Sequence, residues 1–441
     1  MQHHSPYLRL STKKGRNMIS RNTLTLLMIP IVLLAMTSCQ DDCERTVTYT
    51  MWEPEYMSYE EMRSAIQAES PRELINPGKI YYKDGYIFIS EVNEGIHVIN
   101  NFDPSNPINE KFIRIPGNTD LSIKGSALYA NSHVDLVTLD IQDLNNVVEV
   151  DREEDILPYM ATFNGFWADA SQGVVKKWNA REVTETIECN RSRGFPFNLF
   201  ASTDDLAVPE TSAADGSTGV GGSLARFTIS KNHLYAVTDQ DLVVFNLSND
   251  YDPALVNTVN IGWAIETIFP FQGNLLIGSQ FGMYIYSLDD ASAPRQLSQF
   301  EHLRSCDPVV AEGHHAFVTL RSGNMCRDGV NQLDVLDISD LESPRLINSF
   351  PMTNPHGLGI KNGTLFICEA DAGLKVYDAT EILADESLLL PEIAKFPNIH
   401  AFDVIPLFNV LLLVGEDGFY QYDFSDPENI TQLSHIAVFK D

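Results

Sequence analysis

Along most of the chain, apolar and polar residues alternate in short runs, and the runs end in corners rich in Asp, Ser and Pro. Gln332–Asp340 (QLDVLDISD), followed by Pro344, shows the pattern most clearly. Alternation with a period of two is the mark of a half-buried strand, and the Asp-Ser-Pro cluster that stops it is turn chemistry. The unit recurs. A first strand, a turn with Gly, Asn or Asp, and a second strand are followed by a loop and a third strand that ends at the corner. Second strands are predicted at Tyr86–Ser90, Leu128–Asn131, Leu234–Thr238, Leu275–Ser279, Ala316–Leu320, Leu365–Glu369 and Leu411–Gly415. The corner position falls at Asn100, Asp140, Asn246, Ser287, Asp337, Asp378 and Asp423, in steps of 40, 106, 41, 50, 41 and 45 residues.

A period of about 40–45 residues built from short strands is the signature of β-propeller blades. No long amphipathic helices alternate with the strands, which disfavours a parallel α/β sheet. The expected fold is therefore all-β: a single propeller, seven-bladed by the count of corners, over residues 76–441. The 106-residue step is read as a long insertion at 159–222, since no second corner lies within it. A degenerate eighth blade is the alternative. The insertion ends in Ser212–Ser223 (SAADGSTGVGGS), a flexible loop by composition. Ahead of the repeats, residues 39–75 make a tether and adaptor. Thr46–Trp52 alternates like a strand, and Ser58-Tyr59-Glu60-Glu61 has capping-box spacing that predicts a helix to about Ala68.

With their L-x-V-x-D-I-S-type strand and corner, the repeats resemble the LVIVD-repeat family of bacterial secreted and surface propellers. The resemblance covers about 76–441 and departs from the pattern at Asn100, Asn246, Ser287 and within 159–222. It implies a propeller outside the cytoplasm and implies no particular reaction.

The N-terminus points to the same address. From Met18 the chain reads as a basic start (Arg21), an apolar run Leu24–Met36 and small polar residues before Cys39. That run is short for a membrane span and suits a signal peptide over 1–38. Leu34–Cys39 (LAMTSC) resembles a bacterial lipobox, which implies lipidation at Cys39. The acidic Asp41, Asp42 and Glu44 that follow resemble the export tag of surface lipoproteins, so an outer-membrane, surface-exposed lipoprotein is expected, with the periplasmic face as the alternative. The net charge of −30 argues against a nucleic-acid partner, since phosphates would be repelled. The chain beyond the signal is more acidic still, because residues 1–38 hold five basic side chains and no acidic one.

Disulfides persist outside the cytoplasm. Cys306 and Cys326 flank the first two strands of the fifth repeat and belong at one end of it, so a disulfide between them is expected. Cys368 sits in an alternating strand and reads as buried; a Cys43–Cys189 pair rests on parity alone. No CxxC pair, HExxH, GxSxG or Walker-A sequence is present, and neither a metal nor a cofactor is expected. His314-His315 occupies a predicted turn in which adjacent side chains would diverge.

Aligning the repeats by their second strands brings Asp120, Arg226, Glu266, Asp307, His356 and His400 to the starts of successive first strands, ringing the mouth of the central channel. Convergent polar groups at a pocket mouth are a natural ligand site, although such residues also cap strand ends and hold channel water. Trp167 and Trp178, in the insertion, are the aromatics that could stack on a sugar. Three functions follow. The chain is a membrane-anchored, non-enzymatic binding module for a glycan, peptide or protein; a hydrolase or lyase with Asp307, Glu266, His356 and His400 as acid/base groups; or a scaffold of an envelope complex.

Overall fold

In the computed structural model the described residues are 44–158, 162–163, 165–188, 218–301, 308–322, 330–385 and 388–440. Consecutive strands pair antiparallel into seven blades, six of four strands and one of six. The inner strands are Pro77–Lys83, Leu121–Lys124, Phe227–Ser230, Ile265–Phe271, Val309–Glu312, Leu358–Lys361 and Ala401–Leu407. Each blade is covered on both faces by its neighbours, so middle strands are buried on both sides. Every residue of Ala127–Ser132 and of Gly282–Ser287 is buried. Each four-stranded blade also has an outermost fourth strand, such as Ala254–Asn260 or Thr431–Ala437, which is half exposed and read as loop in the sequence.

The repeated corner has a local and a long-range role. Locally it is a pair of Asx turns. Asp337 Oδ1 accepts the Ser339 N–H at 2.9 Å, and Asp340 Oδ1 accepts that of Glu342 at 3.0 Å. The same bonds recur at Asp140 and Asp143, and at Asp423 and Asp426. The three departures keep the chemistry, because Asn100, Asn246 and Ser287 each accept the N–H two residues on. Between blades, the corner caps the preceding blade. Lys124 Nζ reaches Asp250 Oδ1 at 2.6 Å and the Leu247 carbonyl at 3.0 Å, and the Tyr129 hydroxyl donates to the Asp250 carbonyl at 2.7 Å. One blade on, Lys231 and Tyr235 donate to the carbonyls of Leu288 and Ala291.

Blade 7 meets blade 1 through a shared apolar cluster that includes Ile80, Ile87, Ile405, Leu412 and Phe419. Two polar latches accompany it. The Asn101 and Gln421 amides, 320 positions apart and buried, exchange hydrogen bonds at 2.9 and 2.7 Å. Leu74 forms a parallel bridge with Val438, and its carbonyl accepts the Phe439 N–H at 2.7 Å. Among the described residues the blades close as separate sheets, with no strand contributed by one end of the chain to a blade built by the other.

The adaptor helix has its capping box, with Ser58 and Glu61 bonded reciprocally, but spans only Tyr59–Arg63. The expected extension to Ala68 is corrected because Gln67–Glu69 pairs with Ile108–Arg114 at the outer edge of blade 1. Backbone bonds in that edge replace those the helix would have made. Met62 is buried against Val134 and Val174, and Arg63 donates to the buried Asp135, which Arg152 also engages. Within the insertion, Val174–Glu188 pairs with Glu44–Met57 as a two-stranded ribbon, and among the described residues no eighth blade forms. Within the described part of the smaller unit, residues 44–51 and 181–188, the Thr48 and Thr184 hydroxyls lie 3.0 Å apart.

Candidate functional site

The central channel is occupied by the chain. Val220 and Gly221 pair antiparallel with Tyr82 and Tyr81 on the channel edge of blade 1, and Thr218 bridges to Lys124 of blade 2. The segment continues upward. The Ser223 hydroxyl accepts the Leu358 N–H of blade 6 at 3.1 Å, the Ala225 carbonyl accepts the Ile268 N–H of blade 4 at 2.7 Å, and Leu224 joins the apolar cluster of blades 1 and 7. Ser223, Leu224 and Ala225 are all buried. This corrects the reading of Ser212–Ser223 as flexible throughout: from Thr218 it is bonded to the inner strands and from Gly222 it is buried, while 212–217 lie outside the described residues. The glycines are there for space. A Cβ on Gly219 would collide with the Tyr81 ring and the Tyr82 carbonyl. Beside it the Tyr81 hydroxyl accepts the N–H groups of Ile123 and Gly219, and burial pushes its pKa up to about 12.

Above this plug lies the mouth. Asp120, immediately before the inner strand of blade 2, accepts the N–H groups of Arg226 at 2.5 Å, Phe227 at 3.2 Å and Leu121 at 2.7 Å, and the Lys79 ammonium at 2.7 Å. It fastens the chain leaving the channel to blades 1 and 2. Arg226 turns outward, its guanidinium donating to Asp239 Oδ1 at 2.7 Å and to the Ile265 carbonyl at 2.9 Å. Glu266 Oε1 accepts from the Gln280 amide at 2.9 Å. His356 is buried, with its ring 5.5 Å from that of Phe402 and its carbonyl bonded to the Thr319 hydroxyl. His400 is more exposed and lies 3.4 Å from Asp371. These five residues all stand at or just before the start of an inner strand, at the same end of the ring; Asp307 lies outside the described residues.

Two groups at the mouth were not foreseen. Lys79 lies on the inner strand of blade 1 beside Asp120, and burial lowers its pKa against the pull of that carboxylate. Asp403, on the inner strand of blade 7, is fully buried, and neither carboxylate oxygen has a hydrogen-bond partner among the described residues. Burial raises its pKa well above the ordinary aspartate value, opposed by the Val404 N–H and the Lys79 charge. A cavity of about 10 Å³, lined by Lys79, Asp120, Tyr81, Gly221 and Gly222 among others, is large enough for about one water. The signal for both was an ionisable residue inside an otherwise apolar alternation (GKIYY, AFDVIPL).

Of the remaining expectations, Cys39, Cys43, Cys189, Cys306 and Cys326 lie outside the described residues, and Cys368 is buried. His315 is not in a turn but begins a buried strand, with His314 before it. Trp178 stacks on Phe163 at 5.8 Å within the insertion, whereas Trp167 is exposed.

No protein-family model matches the chain, and no curated protein matches it. Solved structures do. The periplasmic gluconolactonase PpgL of Pseudomonas aeruginosa aligns with a TM-score of 0.50 at 11% identity, over 82% of this chain and 95% of that one. The fold is a seven-bladed β-propeller. A protein from Lactobacillus plantarum (TM-score 0.48, 12% identity, 82% and 96% covered) and the computationally designed Ika8 protein (0.47, 10%, 85% and 94%) are also similar. At these identities the likeness concerns the fold alone.

Proposed function

We propose that the chain is a cell-envelope lipoprotein of the LVIVD-repeat type, held in the outer membrane through Cys39, that acts as a non-enzymatic binding module. The observation that carries the binding reading is the filled channel. Acid–base chemistry needs carboxylates free to reach a substrate, and here residues 218–225 fill the channel below the mouth while Asp120 spends its carboxylate on backbone N–H groups and Lys79. These polar groups act as fasteners. Recognition then falls to the outward-facing groups around the mouth, Arg226 and Glu266 among them. The apolar run before Cys39 and the acidic residues after it support the anchor and its display at the surface.

Cells expressing the full chain and fed an alkyne-bearing palmitate analogue should label the wild type and leave Cys39→Ala unlabelled. An unlabelled wild type would remove the anchor. Turnover of a bound ligand by the purified chain would refute the non-enzymatic reading.

A further inference from the structure

Three ionisable side chains are sheltered from water at the mouth of the channel, on blades 7, 1 and 2. The Lys79 ammonium donates to Asp120 Oδ2 at 2.7 Å, and the two side chains are only 12% and 6% exposed. Asp403 is fully buried, and neither of its oxygens has a hydrogen-bond partner among the described residues. Lys79 and Asp403 act on each other's titration, which puts the orphaned carboxyl within electrostatic reach of the pair.

A buried ion pair gives up the hydration of two charges, and in a dry site the neutral amine and neutral acid compete with it. Burial, helped by the Arg226 charge, lowers the Lys79 pKa, while burial keeps a proton on Asp403. The mouth therefore holds a nitrogen nucleophile, an acyl carbon in contact with it, and an acid that bonds to nothing else. The N–H groups of Arg226 and Phe227 already grip Asp120 Oδ2, the atom that takes up negative charge when Cγ is attacked. The cavity of about 10 Å³ lined by Lys79 and Asp120 has room for the one water that such a reaction releases.

From this arrangement we infer that Lys79 and Asp120 condense to an amide, a covalent tie between blades 1 and 2, with Asp403 moving the protons. One proton passes from the ammonium to Asp120 Oδ1, leaving an amine and a carboxylic acid. The amine nitrogen bonds to Cγ, and the charge that forms on Oδ2 is met by the Arg226 and Phe227 N–H groups. Asp403 gives its proton to the Oδ1 hydroxyl, the Cγ–Oδ1 bond breaks, and water departs. The Asp403 carboxylate then takes a proton from the newly bonded nitrogen and is restored. The sum is ammonium plus carboxylate to amide plus one water, with no oxidant and no added reagent. Contact within one fold gives the two groups an effective concentration on the order of 10⁵–10⁸ M, which drives condensation against the surrounding water.

The full chain, recovered in urea and refolded at pH 7, is sampled with time, unfolded again, digested with trypsin and weighed by mass spectrometry. Stability comparisons belong to chain sampled before closure, because a closed chain unfolds with blades 1 and 2 still tied. The closed form should yield one branched peptide, residues 73–83 joined to 115–124, lighter by one water than its two parts and uncut after Lys79. Lys79→Arg and Asp120→Ala should give none. Asp403→Asn should slow its appearance about a hundredfold or more, as loss of a general acid does, and a cooperative melt shows that this variant folds. Folded wild type that still gives only the separate peptides 73–79, 80–83 and 115–124 after long incubation would overturn the bond. A branched peptide that forms at an unchanged rate in Asp403→Asn would overturn the part assigned to that carboxyl.

Discussion

Asp403→Asn should stabilise the protein, and by more as the pH rises. In an unfolded chain the carboxyl titrates near 3.8; in the fold, burial raises it well above that, with only the Val404 N–H and the Lys79 charge opposing. Between the two values the folded state keeps a proton that the unfolded chain has released. Linkage then removes about 1.4 kcal/mol of stability for each pH unit of that window. Asparagine is nearly the same shape and cannot ionise, so the variant escapes this loss. It also leaves the Lys79–Asp120 ion pair intact. Urea unfolding of wild type and variant at pH 4, 5, 6 and 7 isolates the group, because every other titration is common to both. The difference should be within about 1 kcal/mol at pH 4, where an amide replaces a neutral acid. It should then grow in favour of Asn at close to the linkage slope, and level off above the folded pKa. A difference that does not change with pH would refute the argument. So would an advantage to wild type that grows with pH, since Asp403 would then be ionised and held by Lys79.

The plug, the ring closure and the corner give three further expectations. Gly219→Ala forces a Cβ against Tyr81 and the Tyr82 carbonyl, and should cost about 1–3 kcal/mol as overpacking does. Faster amide exchange at Ile123 and Tyr82 would report the loosened segment. Gln421→Ala leaves the buried Asn101 amide without its partner and should cost about 1–3 kcal/mol in a urea melt, a loss that Asn101→Ala combined with it should partly recover. Asp337→Ala removes one Asx turn and should cost about 0.5–1.5 kcal/mol. Hydrogen bonds from Ser339, together with Arg345, hold the Asp337 carboxylate at a pKa of about 2. Its contribution is therefore present above 3.8 and lost as the pH falls through 2, so the gap between wild type and variant should narrow in melts run at pH 2.

Blade number, blade order and the corners were legible because they are local. An Asx turn needs one acceptor side chain and the N–H two positions on, and the buried middle strands alternate or run apolar where the eye can find them. The outer strands were missed because their exposed faces carry as many polar residues as a loop, as in Arg295–Glu301. The adaptor helix was overextended at Gln67–Glu69 because pairing with blade 1 outweighs a weak helical preference. The mouth was legible in part. Asp120 and Arg226 announce themselves as polar residues before a strand, but their roles depend on a partner segment a hundred positions away. A Gly-Ser run has the same composition whether it floats in solvent or is threaded between tyrosines.

The segment at 218–225 also constrains the order in which the protein can assemble. It precedes blades 3 to 7 in the chain yet touches blades 1, 2, 4, 6 and 7. Slid lengthwise into a finished ring, it would have to part buried hydrogen bonds on several sides at once. Laid along the exposed edges of blades 1 and 2 as soon as they exist, it meets no obstacle, and each later blade can fold against it as a mandrel. On that route synthesis from the N-terminus delivers the parts in the order of use, and the meeting of Asn101 with Gln421 is the last event, the clasp that shuts over a core already in place.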